Sequence, residues 1–432
     1  MKPKKHVILL GAGASKTSGY PDANALTVLM CDRQSFLKEF AKRLADEGVD
    51  NVSEWVRKST VRVYYDSFSK TTQLLRAGDF ATMDELSNLA QGGIRADEIL
   101  KLKKLMRFVF ALNDPETNSW PTSDYRALIQ LLFEGKSELR GDISIISFNY
   151  DPYFEHRLLR ASRSRGEIHP QPISQSAPAR MSQAITSGFL YPFDSSWTKT
   201  PGFCHLKLHG TSVLPTTRGF VFELHPPKGS SLNLTTDQMF EIPTRQRLVD
   251  LSTPEVAELD PPVLLPWEII SPDGKLLDQT EFDSAVGLNW QHRPLYPLFR
   301  SIWERARDDI QAADKISFVG LSLGPFIEPE LRFLFSGKEG VIQAVVANPE
   351  NKKYANYSDP FHSRTPRGKV LDLFQKISPG LCCNRSDSEA GLFLAENRKT
   401  KDEVTALAPG DYRGASEITA RDDFADFIQN EL

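Results

Sequence analysis

Short apolar runs recur along the chain and alternate with stretches of helical periodicity. Five of these runs are rich in β-branched residues and contain few polar positions, which is typical of strands covered on both faces. The predicted strands are Val7–Leu10, Ile143–Ser147, Cys204–Leu208, Ile316–Val319 and Val341–Ala347. Helical patterns dominate between Asn24 and Leu112 and recur near Pro294–Ala312 and at Gly368–Ile377. Together they predict an α/β fold, with a parallel sheet flanked by helices.

Breaks in this pattern indicate how the chain is organised. We predict one catalytic domain over residues 1–350, with a helical insert at about 30–140. A second insert, at about 161–290, begins with a stretch rich in Ser, Pro, Arg and Gln and continues with β-like pieces. Residues 351–432 are predicted to form a C-terminal extension.

Composition narrows the classes of protein to consider. The chain has 432 residues, a net charge of −4 and 25% charged residues, so its overall charge does not favour direct binding to nucleic acid. None of the four cysteines forms a C-x-x-C pair, and we expect no metal site. Because no apolar run reaches 18 residues and polar residues interrupt the N-terminal one, we expect a cytoplasmic protein without a membrane span or signal peptide.

The first predicted strand runs into a glycine turn. Gly11 and Gly13, between a strand and a helix, would let backbone N–H groups approach a pyrophosphate. The turn departs from the common dinucleotide fingerprint, because Lys16 replaces the third glycine and Asp32, at the spacing of the ribose-binding acid, lies in a helical pattern. On its own, the turn is compatible with a phosphate site or with a simple tight turn.

The longer segment GAGASKTSGYPD, from Gly11 to Asp22, resembles the NAD-binding signature of the sirtuin family. Segments similar to four further sirtuin motifs follow in the family's order: ISFNYD at 146–151, LKLHG at 206–210, FVGLSL at 318–323 and VVANP at 345–349. The chain lacks the two C-x-x-C pairs of the deacylases' zinc module. The resemblance therefore points to the sirtuin-like NAD hydrolases of bacterial anti-phage systems, and it implies a modified Rossmann-like fold.

The resemblance also implies roles for individual residues. His209 would be the catalytic base, Asn149 would orient water or a ribose hydroxyl, and Asp151 would cap a helix or orient the ribose. Without the resemblance, His209 and Asn149 equally suit a structural histidine and a helix cap. The residues implied to bind the cofactor are Gly11, Ala12, Gly13, Ser15, Pro21, Asp22, Gly320, Ser322 and Asn348.

These features predict an NAD glycohydrolase that takes NAD⁺ as its substrate and acts in abortive infection. Two alternatives stay open: a sensor or scaffold that binds NAD or ADP-ribose without turnover, and a protein ADP-ribosyltransferase or deacylase. Because uncontrolled NAD⁺ hydrolysis would kill the cell, we expect the activity to be gated. The gate would be a homo-oligomer or a separate defence partner, such as a translocase-type ATPase or an Argonaute-type protein.

Overall fold

The computed structural model describes sixteen stretches of the chain. They are residues 5–16, 20–58, 96–112, 125, 128–129, 132, 140–151, 153–154, 204–210, 263–286, 296–324, 326–339, 343–348, 365–377, 382–384 and 415–421. The predicted connection at 162–201 and the predicted β-like pieces between 213 and 262 lie outside these residues.

A single parallel sheet organises the described residues. Its strands are β1 (His6–Leu10), β2 (Ile143–Ser147), β3 (Cys204–Lys207), β4 (Lys315–Val319), β5 (Gln343–Ala347), β6 (Cys382–Asn384) and β7 (Ala415–Arg421). They lie in the order β3-β2-β1-β4-β5-β7-β6, and all six strand pairs are parallel. The first five strands follow the order 3-2-1-4-5 of dinucleotide-binding folds, so the prediction of a Rossmann-like parallel sheet is confirmed.

Helices connect and cover the strands. They are α1 (Ala12–Lys16), α2 (Ala23–Cys31), α3 (Arg33–Asp46), α4 (Val52–Lys58), α5 (Ala96–Leu112), α6 (Gln279–Ala285), α7 (Tyr296–Ala312), α8 (Glu328–Phe335) and α9 (Pro366–Ile377). None of the described helices combines the length and apolar composition that a membrane span requires.

The helical insert lies between β1 and β2, as its sequence pattern predicts. Asp22 begins α2 by accepting a hydrogen bond from the backbone N–H of Ala25 at 2.9 Å. Asp32 begins α3 in the same way, with the backbone N–H of Ser35 at 3.1 Å. Asp32 is therefore a helix cap, in agreement with the helical pattern in which it lies.

Residues beyond 350 extend the same sheet. Strand β7 pairs with β5 and β6 pairs with β7, in both cases in parallel. The apolar pattern predicted the helix α9 but neither of these strands. The described part of the C-terminal extension thus continues the fold of the preceding residues.

One cluster of the core lies between the sheet and the helices α7, α8 and α9. Trp303 of α7 is completely buried, and its indole N–H donates to the Leu208 carbonyl at 3.1 Å. Phe318 of β4 stacks on Phe335 of α8 at 6.1 Å, and both rings contact Phe374 of α9. These contacts fix α7 and α8 against the ends of β3 and β4, where the candidate site lies.

Candidate functional site

A cavity of about 350 Å³ opens at the carboxyl ends of the central strands. The strand order reverses between β1 and β4, and this is where open parallel sheets bind their ligands. Eleven of the twelve predicted site residues line the cavity: Gly11, Ala12, Gly13, Pro21 and Asp22 after β1, Asn149 and Asp151 after β2, His209 after β3, Gly320 and Ser322 after β4, and Asn348 after β5. The structure thus brings together segments that are more than 300 residues apart.

The glycine turn packs directly against the end of β4. The N–H groups of Gly11 and Gly13 donate to the carbonyls of Val319 and Gly320, each at 2.9 Å. A Cβ atom on Gly13 would lie 2.8 Å from the Gly320 oxygen, and Gly320 itself has a φ of +60°. The glycines are therefore required for this close approach, whatever ligand the turn contacts.

Asp22 makes two interactions on the wall of the cavity. Besides capping α2, its carboxylate forms an ion pair with the Lys16 ammonium at 2.7 Å. The Lys16 side chain is 64% exposed. Lys16 therefore tethers the start of α2 to the glycine turn instead of providing the close helix packing that a third glycine would permit.

Asn149 presents a buried hydrogen-bond acceptor to the cavity. Its side-chain amide N–H donates to the Ser15 hydroxyl at 3.1 Å, and Ser15 also contacts the Tyr125 hydroxyl at 3.0 Å. Asn149 is 5% exposed, and its Oδ1 has no hydrogen-bond partner within the described residues. Because a buried acceptor without a partner costs free energy, Oδ1 is suited to a ligand hydroxyl or a water molecule.

Ser15 is the one predicted site residue that does not line the cavity. It is 1% exposed, on α1, and lies behind Asn149. Its hydroxyl accepts the hydrogen bond from the Asn149 amide, whereas the resemblance implied that Ser15 binds the cofactor.

Both ring nitrogens of His209 are hydrogen bonded within the protein. Nδ1 contacts the Phe148 carbonyl at 3.2 Å, and Nε2 contacts Oε1 of Glu330 at 2.8 Å. The Tyr150 ring stacks against the imidazole with centroids 5.4 Å apart. Sequence reasoning did not single out Glu330, which is 1% exposed on α8 and whose Oε2 has no partner within the described residues.

Asp151 and Lys207 form a buried polar pair beside His209. The Lys207 ammonium donates to the Asp151 backbone carbonyl, and Oδ1 of Asp151 accepts from the Tyr153 N–H at 3.1 Å. Burial raises the pKa of Asp151, and the Lys207 charge and the hydrogen bonds from Tyr153 and Ser15 oppose this rise. Oδ1 of Asp151 therefore closes a turn after β2, and the two roles predicted for Asp151, capping a helix or orienting the ribose, stay predictions.

A second buried pair joins α5 to the loop after residue 263. The Lys103 ammonium donates to both carboxylate oxygens of Glu268 at 2.6 Å, and Glu268 also accepts from the Leu265 N–H at 2.7 Å. Burial raises the pKa of Glu268, while the charges of Lys103 and His209 lower it. Glu268 is thus a second carboxyl group in the electrostatic surroundings of His209.

His205 lies four positions before His209 and is completely buried on β3. Burial lowers the pKa of His205 well below its ordinary value, and its ring contacts Phe154 at 5.1 Å. Among the described residues, no group of three or more His, Cys, Asp or Glu side chains is placed to hold a metal ion. The described geometry therefore gives His205 a packing role.

Two comparisons with known proteins bear on this site. Neither a scan against protein-family models nor a search of curated protein sequences gives a match. The sirtuin-like resemblance and the roles that it implies therefore stay predictions, and a functional assignment depends on the residues of the cavity.

Proposed function

We propose that the protein is an NAD glycohydrolase that cleaves NAD⁺ to nicotinamide and ADP-ribose. The observation that carries the proposal is the buried, open acceptor Oδ1 of Asn149 in the cavity at the reversal of strand order. His209 lines the same cavity, and the carbonyl that contacts its Nδ1 belongs to the peptide bond before Asn149. The sequence segments similar to sirtuin motifs meet at this cavity, which supports a dinucleotide substrate.

The reaction breaks the bond between the ribose C1′ and the nicotinamide nitrogen. Both electrons of this bond pass to the ring nitrogen, which neutralises the pyridinium, so the leaving group needs no added proton. The transition state resembles an oxocarbenium ion, and a water oxygen then bonds to C1′. The water loses one proton, and this is the proton that a base must accept.

Two tasks remain for the protein, to orient the attacking water or a ribose hydroxyl and to accept the proton, and Asn149 and His209 are suited to them. Oδ1 of Asn149 would accept a hydrogen bond from the attacking water or from a ribose hydroxyl, and thereby fix its orientation. His209 would accept the proton, a contribution of about 10²–10⁴-fold to the rate. The buried Ser15–Tyr125 pair supports Asn149 from behind, so the amide is held in place before substrate binds.

The cellular role is a further part of the proposal. The resemblance implies abortive infection, in which NAD⁺ depletion halts growth, together with a gate formed by a homo-oligomer or a defence partner. Size measurement of the purified chain, alone and with the products of neighbouring genes, would test the gate. A monomer that is fully active on its own would contradict it.

The function is tested by chromatography of NAD⁺ after incubation with the purified full chain and with that chain plus its genomic neighbours. We expect nicotinamide and ADP-ribose in equal amounts, and loss of both in Asn149→Ala and His209→Ala. The matched control is Gln311→Ala, which removes an amide that bonds the Leu334 and Ser336 carbonyls and does not line the cavity.

Two outcomes would redirect the proposal. Intact NAD⁺ that nevertheless binds would favour a sensor or scaffold. Nicotinamide released without free ADP-ribose, together with a mass increase on a protein, would favour ADP-ribosyl transfer.

A further inference from the structure

We propose that Glu330 is a positioning residue for His209, which holds the Nε2–H of the imidazole and leaves Nδ1 as the nitrogen that accepts the proton. This inference rests on the proposed function, because it assigns the base within the same site. Glu330 does not line the cavity, so it would act through His209 and not on the substrate.

The geometry distinguishes the two nitrogens of the ring. Nε2 lies 2.8 Å from Glu330 Oε1, on the side of the buried helix α8. Nδ1 lies 3.2 Å from the Phe148 carbonyl, in the loop that lines the cavity and carries Asn149. The shorter contact is to a carboxylate and the longer one is to a neutral carbonyl at the outer limit of N–H···O distances. Nδ1 is therefore the nitrogen on the Asn149 side, and its contact is the easier one to exchange.

The hydrogen-bond partners of His209 indicate which ring nitrogen carries a proton when the ring acts as a base. Both contacts of His209 are to oxygen atoms that can accept a hydrogen bond, so a ring that carries two protons would donate to both. The ring can act as a base only in the form that lacks the Nδ1 proton: the lone pair then lies on Nδ1, while Nε2–H stays bonded to Glu330. A carboxylate that orients the other ring nitrogen has this role in Ser-His-Asp triads.

Charged groups approach His209 from several elements. Glu330 faces it from α8, and Glu268, paired with Lys103 of α5, acts on it electrostatically from the loop after 263. Lys207 precedes it on β3, and Asp151 lies in the cavity loop. Glu330 is hydrogen bonded to the ring at 2.8 Å, so its charge is expected to have a large effect on the proton of His209.

The first test compares Glu330→Gln with Glu328→Gln in the full chain. The glutamine keeps an oxygen that can accept Nε2–H but removes the charge that stabilises the protonated ring. We expect kcat for NAD⁺ cleavage to fall, by less than the about 10²–10⁴-fold that loss of the whole base would cost, with KM little changed. We also expect the acid limb of the kcat–pH profile to move to lower pH by about 1–3 units. Glu328, on the same helix, pairs with Arg332 and Lys376 and does not line the cavity, so Glu328→Gln should keep the wild-type profile.

Either of two results would overturn the inference. Wild-type kcat and pH profile in Glu330→Gln would mean that the charge does not act on His209. A rise in kcat would mean that Glu330 holds the ring away from the substrate. If Glu330→Gln fails to fold, Glu330→Asp replaces it: the charge is kept, so kcat should fall while the acid limb stays in place, and a shifted limb would contradict the role.

A second measurement separates this inference from the proposed function. Histidine labelled with ¹⁵N in the full chain gives ring signals for eight histidines, and His209→Asn identifies the one that matters. We expect the His209 ring to keep its second proton to a pH about 1–3 units higher in the wild type than in Glu330→Gln. An unchanged midpoint would refute the pairing. If the midpoint shifts and no NAD⁺ is cleaved, the pairing stands and the proposed function fails.

Discussion

The close approach of the glycine turn to β4 can be tested by adding one methyl group. Gly320 has a φ of +60°, and a Cβ atom there would lie 2.5 Å from the carbonyl carbon of Gly13 and 2.9 Å from its Cα. These are backbone atoms held by the hydrogen bond from Gly13 N–H to the Gly320 carbonyl, so they cannot move aside as a side chain would. We expect Gly320→Ala to lower the free energy of unfolding through both the backbone strain and the collision.

A matched glycine separates these two costs. Gly337 has a φ of +77°, but a Cβ atom there would meet nothing within 4 Å. Gly337→Ala should therefore cost only the left-handed conformation, about 1–2 kcal/mol. Gly320→Ala adds a collision in a packed region, typically about 1–3 kcal/mol, which gives about 2–5 kcal/mol in total. The entropy that alanine removes from the unfolded chain is common to both variants and cancels in the comparison.

Urea titration followed by tryptophan fluorescence would measure the free energy of unfolding of both variants. NAD⁺ cleavage would be measured in parallel, and we expect Gly320→Ala to lose it and Gly337→Ala to retain it. Equal losses of unfolding free energy in the two variants would refute the reasoning, because the turn would then not lie against Gly320.

Three further predictions follow from buried polar groups. Burial lowers the pKa of His6 to about 3. Below about pH 6.5, His6 therefore binds a proton in the unfolded chain but stays neutral in the folded chain. This difference should lower the free energy of unfolding by about 2 kcal/mol at about pH 5. In urea titrations, His6→Gln should make the free energy of unfolding depend less on pH between about pH 7 and about pH 5. The same pH dependence in the variant and the wild type would contradict this prediction. Lys103→Met leaves the buried Glu268 carboxyl unpaired and should cost about 3–5 kcal/mol in the same assay, with much of the loss recovered when Glu268→Gln is added. Ser15→Ala removes the hydroxyl that accepts the hydrogen bond of the Asn149 amide. We expect kcat for NAD⁺ cleavage to fall about tenfold, while the free energy of unfolding falls by only about 1 kcal/mol. A kcat equal to that of the wild type would show that Asn149 does not depend on Ser15.

The central strands could be predicted from the sequence because a strand that is buried on both faces is a nearly continuous apolar run. Val7–Leu10, Ile143–Ser147 and Ile316–Val319 are short runs with few polar residues, and the structure places each in the middle of the sheet. Strand β7, ASEITAR, alternates polar and apolar residues, and β6 has only three residues. Neither has the continuous apolar run that guided the prediction, which is why both were missed.

The positions of the predicted site residues follow from the parallel sheet. Residues just after the carboxyl ends of parallel strands meet at one edge, so Gly11, Asn149, His209 and Gly320 were expected to come together once their strands were identified. Ser15 could not be assigned in the same way. Its hydroxyl turns toward Asn149 because of the path of α1, and the sequence of the turn does not specify that path.

Glu330 shows what a strand-based prediction leaves out. It lies on a helix, in EPELRFLF, where an acidic residue in the first turn is usually explained by the helix dipole. A signal was nevertheless present: Phe333 and Leu334 lie three and four positions later, so Glu330 occupies the apolar face of α8, whereas Glu328 pairs with the cations of Arg332 and Lys376. A carboxylate on an apolar face needs a buried partner, because desolvation without one is costly. The histidine at the end of β3 is that partner, and so the helix that covers the sheet also supplies a charge to the candidate site.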